Sequence, residues 1–439
     1  MGRVSVLELC FLIFVSPGLF PQEVPVMLTL DRAVERAVGQ SLTLQKSAID
    51  SASAAFAATH LWSELFPDIS ADAGVSYGSN LFSGEGFRLE ESGLGYSLSL
   101  GVTLSLNAGL PASMKLIKLA YQTQLLTYET SRRQLEIQVA KTFYGLIAEK
   151  ANLSLLEELR TLAEKQVEKN RIAFANGLIG ELTLLQSQLS AETAKLTLNK
   201  ARTSYATQLG EFLELLGYTQ DTEAVLEGAI EIVQIDADPE LLIKEHLVKR
   251  PDILSQRQTI EHLEYVQKQT ALTARAPSLT LSAQWQGDSG NGGIPSGFTD
   301  TLTGRLKLSI PINPWIPGTG KSQSINTARM NVDKARLDLK NTETGAMNEI
   351  RSLAANLRDS WSNIEISRLR VTIAERTYQL TEQGFQSGTV EFLTLEDTRN
   401  KMAEARQQLL SDELNYKTMM LDLAAALNVD WNDVAGSIP

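Results

Sequence analysis

Cysteine is all but absent: Cys10 is the only one in 439 residues. That excludes a disulfide framework and a thiolate metal site. Histidine is nearly as scarce, with only His60, His246 and His262, so imidazole-based metal binding or acid–base chemistry has little to build on. Aromatic residues make up 6% of the chain. Positive charge is also in deficit. Forty Lys and Arg against 52 Asp and Glu give a net charge of -12, the opposite of the clustered basic surface that nucleic-acid binding needs. Nowhere past the amino terminus is there an apolar run of about 20 residues, the length of a membrane-spanning helix. Any membrane span in this chain must therefore be β. What remains is a chain with 43% apolar residues, ample for a large core and long enough for two or three domains at roughly 150 residues each.

Residues 1–22 read as a secretory signal. Arg3 supplies the positive end, Val4 to Val15 are largely apolar apart from Glu8, and Ser16-Pro17-Gly18 breaks the run. Cleavage is expected between Phe20 and Glu23. The residues before Cys10 are not the small ones of a lipoprotein signal, and cleavage would leave a mature chain without cysteine.

The chain matches itself at an offset of 211. Phe174-Ala-Asn-Gly177 lies over Phe385-Gln-Ser-Gly388, and Leu182-Thr-Leu184 over Leu393-Thr-Leu395. The same offset pairs Ala194 with Ala405, Leu198 with Leu409, Tyr205 with Tyr416 and Leu216 with Leu427. Such self-similarity marks repeated structural units. The expected repeats are 23–216 and 241–428, joined by an acidic connector at 217–240 and followed by a tail at 429–439. Each repeat has the same order: a moderate helix (28–64; 238–274), two strands (67–80 and 93–107; 277–286 and 300–313), a very long helix (113–175; 323–386), a tight turn, and a closing helix (180–216; 389–427). Leu135, Val139, Phe143 and Leu146, like Leu353, Leu357, Trp361 and Ile364, recur at steps of three and four. A helix of about 63 residues is roughly 95 Å long. On the helices alone, a spacer coiled coil would be an even choice.

The strands argue otherwise. From Leu94 to Leu106 every second residue is large and apolar (Leu94, Tyr96, Leu98, Leu100, Val102, Leu104, Leu106), with Gly, Ser or Thr between. Leu306, Leu308, Ile310 and Ile312 alternate with Arg305, Lys307, Ser309 and Pro311 in the second repeat. Strands of about ten residues with one greasy and one polar face suit a transmembrane barrel. Four strands cannot close, and an open sheet edge is not tolerated in lipid, so the barrel must be shared between subunits. A dimer would give eight strands and a trimer twelve.

Two strings imitate catalytic motifs. Gly287-Asp-Ser-Gly290 resembles the surroundings of a protease serine but sits in a Gly-rich loop (Gln286 to Asp300), with all three histidines in helical segments; triads are defined by geometry. Gly318-Thr-Gly-Lys-Ser322 resembles the end of a phosphate loop, but Trp315 stands where the pattern wants Gly. These glycines are expected to turn strand into helix. Asp236-Ala-Asp238-Pro239 lacks further oxygen ligands and reads as part of a solvated linker. The interhelical turns carry more. Gly177 and Gly388 suit the left-handed position after a helix, yet apolar Leu178 and Ile179 follow the first and Thr389 and Val390 the second, at the tip of a long hairpin. Exposed apolar tips point to a docking surface. Beyond the second turn come Glu391, Glu396 and Asp397, where the first repeat has only Glu181. A ring of acids at a pore mouth favours cations. Acids in a first helical turn are equally ordinary dipole partners.

Two repeats of helix, strand, strand, long helix, Gly turn and helix, behind a signal, resemble the TolC-like outer-membrane efflux protein family over about residues 28–428. The marks are Phe174-x-x-Gly177-Leu178, Phe385-x-x-Gly388-Thr389 and Arg250-Pro-Asp-Ile253. The resemblance implies a mainly α fold with β: a periplasmic α-helical barrel continued by a trimeric twelve-stranded outer-membrane β-barrel, four strands per chain. It further implies a homotrimeric, non-enzymatic duct for efflux or type I secretion, without a cofactor. Partners would be a periplasmic adaptor (membrane fusion) protein at the Gly177-Leu178 and Gly388-Thr389 tips and an inner-membrane transporter of RND or ABC type. In the best-known member two aspartates after the second Gly turn form the constriction. At the matching positions Asp397 keeps the acid and Thr394 does not, and Val390 stands where that member has arginine, with Glu396 or Glu391 as substitutes. The competing expectation is a secreted helical scaffold or adhesin without a pore.

Overall fold

The computed structural model describes residues 26–77, 82–83, 86–87, 94–219, 222–289 and 299–430. The expected signal (1–22), strand residues 78–80 and 93, Gly290 and residues 431–439 of the expected tail lie outside the described residues. The first repeat comprises β1 (Val26–Leu28), α1 (Leu30–Gln40), α2 (Leu42–Thr59), β2 (Asp68–Tyr77), the two-residue strands β3 (Phe82–Ser83) and β4 (Gly86–Phe87), β5 (Leu94–Asn107), α3 (Leu110–Ala175) and α4 (Glu181–Leu215). Then follow β6 (Ala224–Leu226), α5 (Pro239–His246), α6 (Pro251–Arg275), β7 (Ser278–Asp288), β8 (Thr299–Ser309), α7 (Gly320–Gln386) and α8 (Phe392–Leu427).

The long helices run as their patterns predict. α3 has 66 residues and α7 has 67, about 100 Å each at 1.5 Å per residue. Pro111 sits in the first turn of α3, where a missing N–H costs little. The Thr319 hydroxyl caps α7 by accepting the Ser322 N–H, after Gly318 has turned the chain at φ 87. The four long helices end alike. Gly177, Gly217, Gly388 and Asn428 have φ of 71, 76, 76 and 57. After each, the next N–H reaches back five residues: Leu178 to Ala173, Tyr218 to Leu213, Thr389 to Gly384 and Val429 to Ala424, at 2.9 to 3.1 Å. This left-handed closure satisfies carbonyls that the helix leaves unpaired. Gly177 and Gly388, like Gly217 and Asn428, are 211 residues apart, so the duplication extends to the caps.

The moderate helices depart from expectation. The run 28–64 is split at Ser41, whose backbone is extended (ψ 114) and whose hydroxyl accepts the Leu44 N–H to start α2. The run 238–274 is split at Arg250, because Pro251 holds the residue before it in an extended conformation (ψ 137).

Each repeat has its own core, and the two match in register. In the first, Val139, Leu146, Phe212, Leu213 and Leu216 are buried together; in the second, Ile350, Leu357, Leu423, Ala424 and Leu427. Every one of these pairs is separated by 211 positions. Ile137 and Ala140 of α3 meet Leu421 of α8 and join the halves, and Lys141 pairs with Asp422 beside them.

The segment 217–240 is not a solvated linker. β6 pairs in parallel with β1, Val26 with Ala224 and Leu28 with Leu226, and Leu226 closes the first core. Ile235 and Ala237 are buried in the second core, where the Tyr416 hydroxyl accepts the Ile235 N–H at 3.1 Å and donates to the Val233 carbonyl at 2.8 Å. Asp238 caps α5 through the Glu240 N–H, and Asp236 pairs with Arg358. The acidic composition concealed alternate apolar residues that cover both cores.

The sheet has the order β2-β5-β7-β8, all antiparallel. Its register puts the large apolar residues on one face: Ile69 opposite Val102, Val75 opposite Tyr96, Leu104 opposite Leu281, Leu279 opposite Leu308 and Trp285 opposite Leu302. The other face carries Ser, Thr, Gly and Gln with a few charges. No helix layer covers the apolar face among the described residues, and Ile69, Val75, Leu100, Leu281, Leu302, Leu306 and Leu308 stand exposed. β8 ends at Ser309 rather than 313, since Pro311 cannot donate to a ladder.

Tyr416→Phe would leave the buried Ile235 N–H without its acceptor and cost about 1–3 kcal/mol. Thermal melting followed by helical circular dichroism should show that loss. Gly388→Ala would meet nothing within 4 Å of the new Cβ, so its cost, about 1–2 kcal/mol, comes from the left-handed backbone alone.

Candidate functional site

The two helical hairpins, α3–α4 and α7–α8, lie side by side and end in the Gly177 and Gly388 turns. Leu178 at the first tip is 76% exposed, and Thr389 at the second is also exposed, its hydroxyl donating to the Gly384 carbonyl. Between the tips runs a groove of about 750 Å³, bordered by Leu178, Ile179, Gly388, Val390, Glu391 and Phe392. Asn170 of α3 also lines it; the residue is buried, and its Nδ2 has no hydrogen-bond partner among the described residues. Farther from the tips the groove continues between α4 and α8 as a second space of about 600 Å³, with Ser190, Leu189, Phe392, Glu396 and Arg399 among its walls.

The structure separates the four acids singled out from the sequence. Glu396 is largely buried. Its carboxylate accepts from Arg399 one turn on, at 2.6 Å, and from the Ser190 hydroxyl of α4 at 2.5 Å. Arg399 also reaches the Ser190 oxygen at 2.7 Å. The three groups form a closed cluster that ties α8 to α4 across the hairpin boundary. Removed from water, such a pair is held by mutual attraction and added hydrogen bonds, and losing one member leaves a stranded charge. Asp397, one residue on, points elsewhere: it is exposed and paired with Lys401 at 2.7 Å. The Asp397 carboxylate, through its hydrogen bond and its charge, raises the Lys401 ammonium above its ordinary pKa. Glu391 stands at the start of α8, exposed, with its backbone carbonyl accepting from the Thr394 and Leu395 N–H groups and no side-chain cap bond. Glu181 is exposed in the first turn of α4 and does not line the groove. Glu391 and Glu396 thus share one continuous groove, while Asp397 and Glu181 stand outside it.

Arg399 and Ser190 escaped the reading of the sequence. The Glu396 and Arg399 spacing of three is a helical pair signal, but nothing local links either to a serine more than 200 residues away. Phe385 and Phe392 brace the second tip, with ring centroids 5.9 Å apart. The Gly287-Asp-Ser-Gly290 string also finds a structural place: Ser289 extends the β5–β7 pairing, its Oγ accepting the Tyr96 N–H at 2.9 Å.

The sequence profile of a family described as outer membrane efflux protein matches residues 33–218 and 242–429, the two repeats. The chain belongs to the outer membrane efflux protein family. Relatives in that family include the probable efflux pump outer membrane protein TtgC of Pseudomonas putida, 25% identical over 383 residues, or 85% of this chain and 77% of the relative. Outer membrane protein TolC of Escherichia coli is 21% identical over 394 residues, covering 88% and 79%. Among solved structures, a CusC structure covers 91% of this chain and 92% of its own with a TM-score of 0.73 at 16% identity. The Campylobacter jejuni CmeC outer membrane channel covers 93% and 88%, with a TM-score of 0.71 at 19% identity. The fold is therefore that of the TolC-like channels, and the family is one of outer-membrane efflux. Membership sets aside the secreted scaffold expected as the alternative.

Arg399→Ala should cost about 3 kcal/mol by stranding Glu396 and should speed amide hydrogen exchange in residues 392–400 and 186–194. Lys401→Ala, which breaks an exposed pair, should change stability by less than about 1 kcal/mol.

Proposed function

We propose that this protein is the outer-membrane duct of a tripartite export system, a passive conduit for small molecules or proteins. The observation that carries the reading is the four-stranded sheet, apolar along one face except at Asp300 and unpaired at both edges among the described residues. In lipid those edges need partners, and the shared barrel that supplies them is a homotrimer of twelve strands. Helices about 100 Å long then continue the duct through the periplasm. Energy for transport comes from an inner-membrane transporter of RND or ABC type, reached through a periplasmic adaptor.

The hairpin tips are the docking points: Gly177 and Leu178 on one, Gly388 and Thr389 on the other, beside a groove whose buried Asn170 amide can meet an acceptor from the adaptor. The gate lies just inside, at the start of α8. Glu396, locked to Ser190 by Arg399, holds α8 against α4, and opening requires that lock to break. Asp397, exposed beside it, supplies one acid per copy and so a ring of three around the axis; Glu391 and Glu181 add negative charge at the mouth. Such a ring favours cations over anions.

Protein extracted from outer membrane in mild detergent should have the mass of a trimer; a water-soluble monomer would overturn the reading. In planar bilayers the wild type should conduct poorly. Ser190→Ala with Arg399→Ala should raise the open fraction, and Asp397→Asn should lower cation over anion permeability.

A further inference from the structure

The charges on the polar face of the sheet are sorted by strand. On β5 that face shows Ser97, Ser99, Gly101, Thr103 and Ser105, and on β7 it shows Ser278, Thr280, Ser282, Gln284 and Gln286. None is charged; Asp288 follows only at the far end of β7. The edge strands differ. β2 presents Asp68 and Asp72 on this face, and β8 presents Arg305 and Lys307. On this face one edge of the sheet is acidic and the other basic; Asp300 of β8 lies on the opposite face, where it accepts from the Trp285 Nε1–H. All four residues are exposed. Asp68, Arg305 and Lys307 have no partner among the described residues, and Asp72 meets only the Ser99 hydroxyl, at 3.5 Å.

Their positions along the strands also correspond. Asp68 and Asp72 are the first and fifth residues of β2, counted from the helical end of the sheet. Lys307 and Arg305 are the third and fifth residues of β8, counted from that same end. β2 leaves the helical end and β8 returns to it, so the two edges of neighbouring copies meet antiparallel; the register across the sheet sets Asp68 level with Arg305, with Lys307 two residues nearer the helices and Asp72 four residues farther from them. A one-residue slip is barred, because it would turn the apolar face inward. A two-residue slip moves a pair by about 7 Å, still within reach of long Arg and Lys side chains.

We propose that Arg305 and Lys307 of one copy pair with Asp68 and Asp72 of the next along the polar face, and that this charge match stabilises the seams of the barrel. The inference rests on the shared barrel proposed above and adds what ties its seams. A two-fold contact, β8 to β8 or β2 to β2, would send the helices of two copies to opposite ends or turn one apolar face inward, so closure runs β8 to β2 and sets the basic edge of one copy beside the acidic edge of the next. Like charges directly across a strand pair are unfavourable. The heterologous contact, β8 to β2, is the one that closes into rings of more than two copies.

The test is reversal and rescue in the full chain, expressed in a host outer membrane and extracted in mild detergent. Arg305→Asp with Lys307→Asp makes both edges acidic; Asp68→Lys with Asp72→Lys makes both basic. Each double variant should lose the oligomer seen for wild type or dissociate it at a lower temperature, and combining all four reversals should restore it. Two results overturn the charged seam: double variants as stable as wild type, or loss without rescue in the fourfold variant, which would place the charges' role within one chain. Either leaves the shared barrel standing if the wild type is oligomeric. A monomeric wild type removes both proposals together.

Discussion

Backbone N–H and C=O groups along the outer strands β2 and β8 set the terms for this molecule. A sheet with one largely apolar face and, among the described residues, no covering layer belongs against hydrocarbon, and hydrocarbon offers no hydrogen bonds to an open edge. Much else becomes intelligible as a response. The strands are about ten residues long, the helices all depart from one end of the sheet, and large apolar side chains remain exposed on a single chain. These would be faults in an isolated monomer. They are consistent features of one segment of a closed wall.

The duplication gives that wall its regularity and also its specialisation. At an offset of 211 the two repeats keep the same buried positions and the same left-handed helix ends, because a long hairpin has few ways to reverse and to pack its mate. Near the start of the closing helices the repeats diverge in charge. Glu396, Asp397 and Arg399 in the second repeat stand over Leu185, Gln186 and Gln188 in the first. Neutral residues on α4 and charged ones on α8 make the boundary between hairpins unequal. Ser190, which stands over Lys401, supplies the hydroxyl that the Glu396–Arg399 pair uses. A symmetric scaffold thus carries an asymmetric contact.

Between the membrane end and the tips, the connector holds the halves in register. Its alternating residues face two directions: Leu226 and the β1–β6 pairing close one core, and Ile235, Ala237 and the Tyr416 hydroxyl close the other. Lys417 is drawn into the same region, with its ammonium 4.9 Å from the Tyr144 ring and its pKa lowered by burial, against the opposing pull of Glu231. The middle of the molecule holds both cores, whereas the hairpin ends border a groove. That arrangement suits the gate proposed at the start of α8.

Much of this was legible in the amino acids. Period-two alternation from Leu94 to Leu106, three-and-four spacing from Leu135 to Leu146, and Gly at 177 and 388 are local signals, set by backbone geometry and by which side of an element meets water. The duplication is legible for the same reason, since it compares one local pattern with another. The splits at Ser41 and Arg250 were missed because a cap or a Pro-induced kink interrupts a helix without interrupting its composition. What only the tertiary structure decided are contacts between residues far apart in the chain: Glu396 with Ser190, Tyr416 with Ile235, β1 with β6. No periodicity encodes such meetings. They depend on how whole elements pack, and that is fixed only when every apolar face and every backbone edge has been satisfied together.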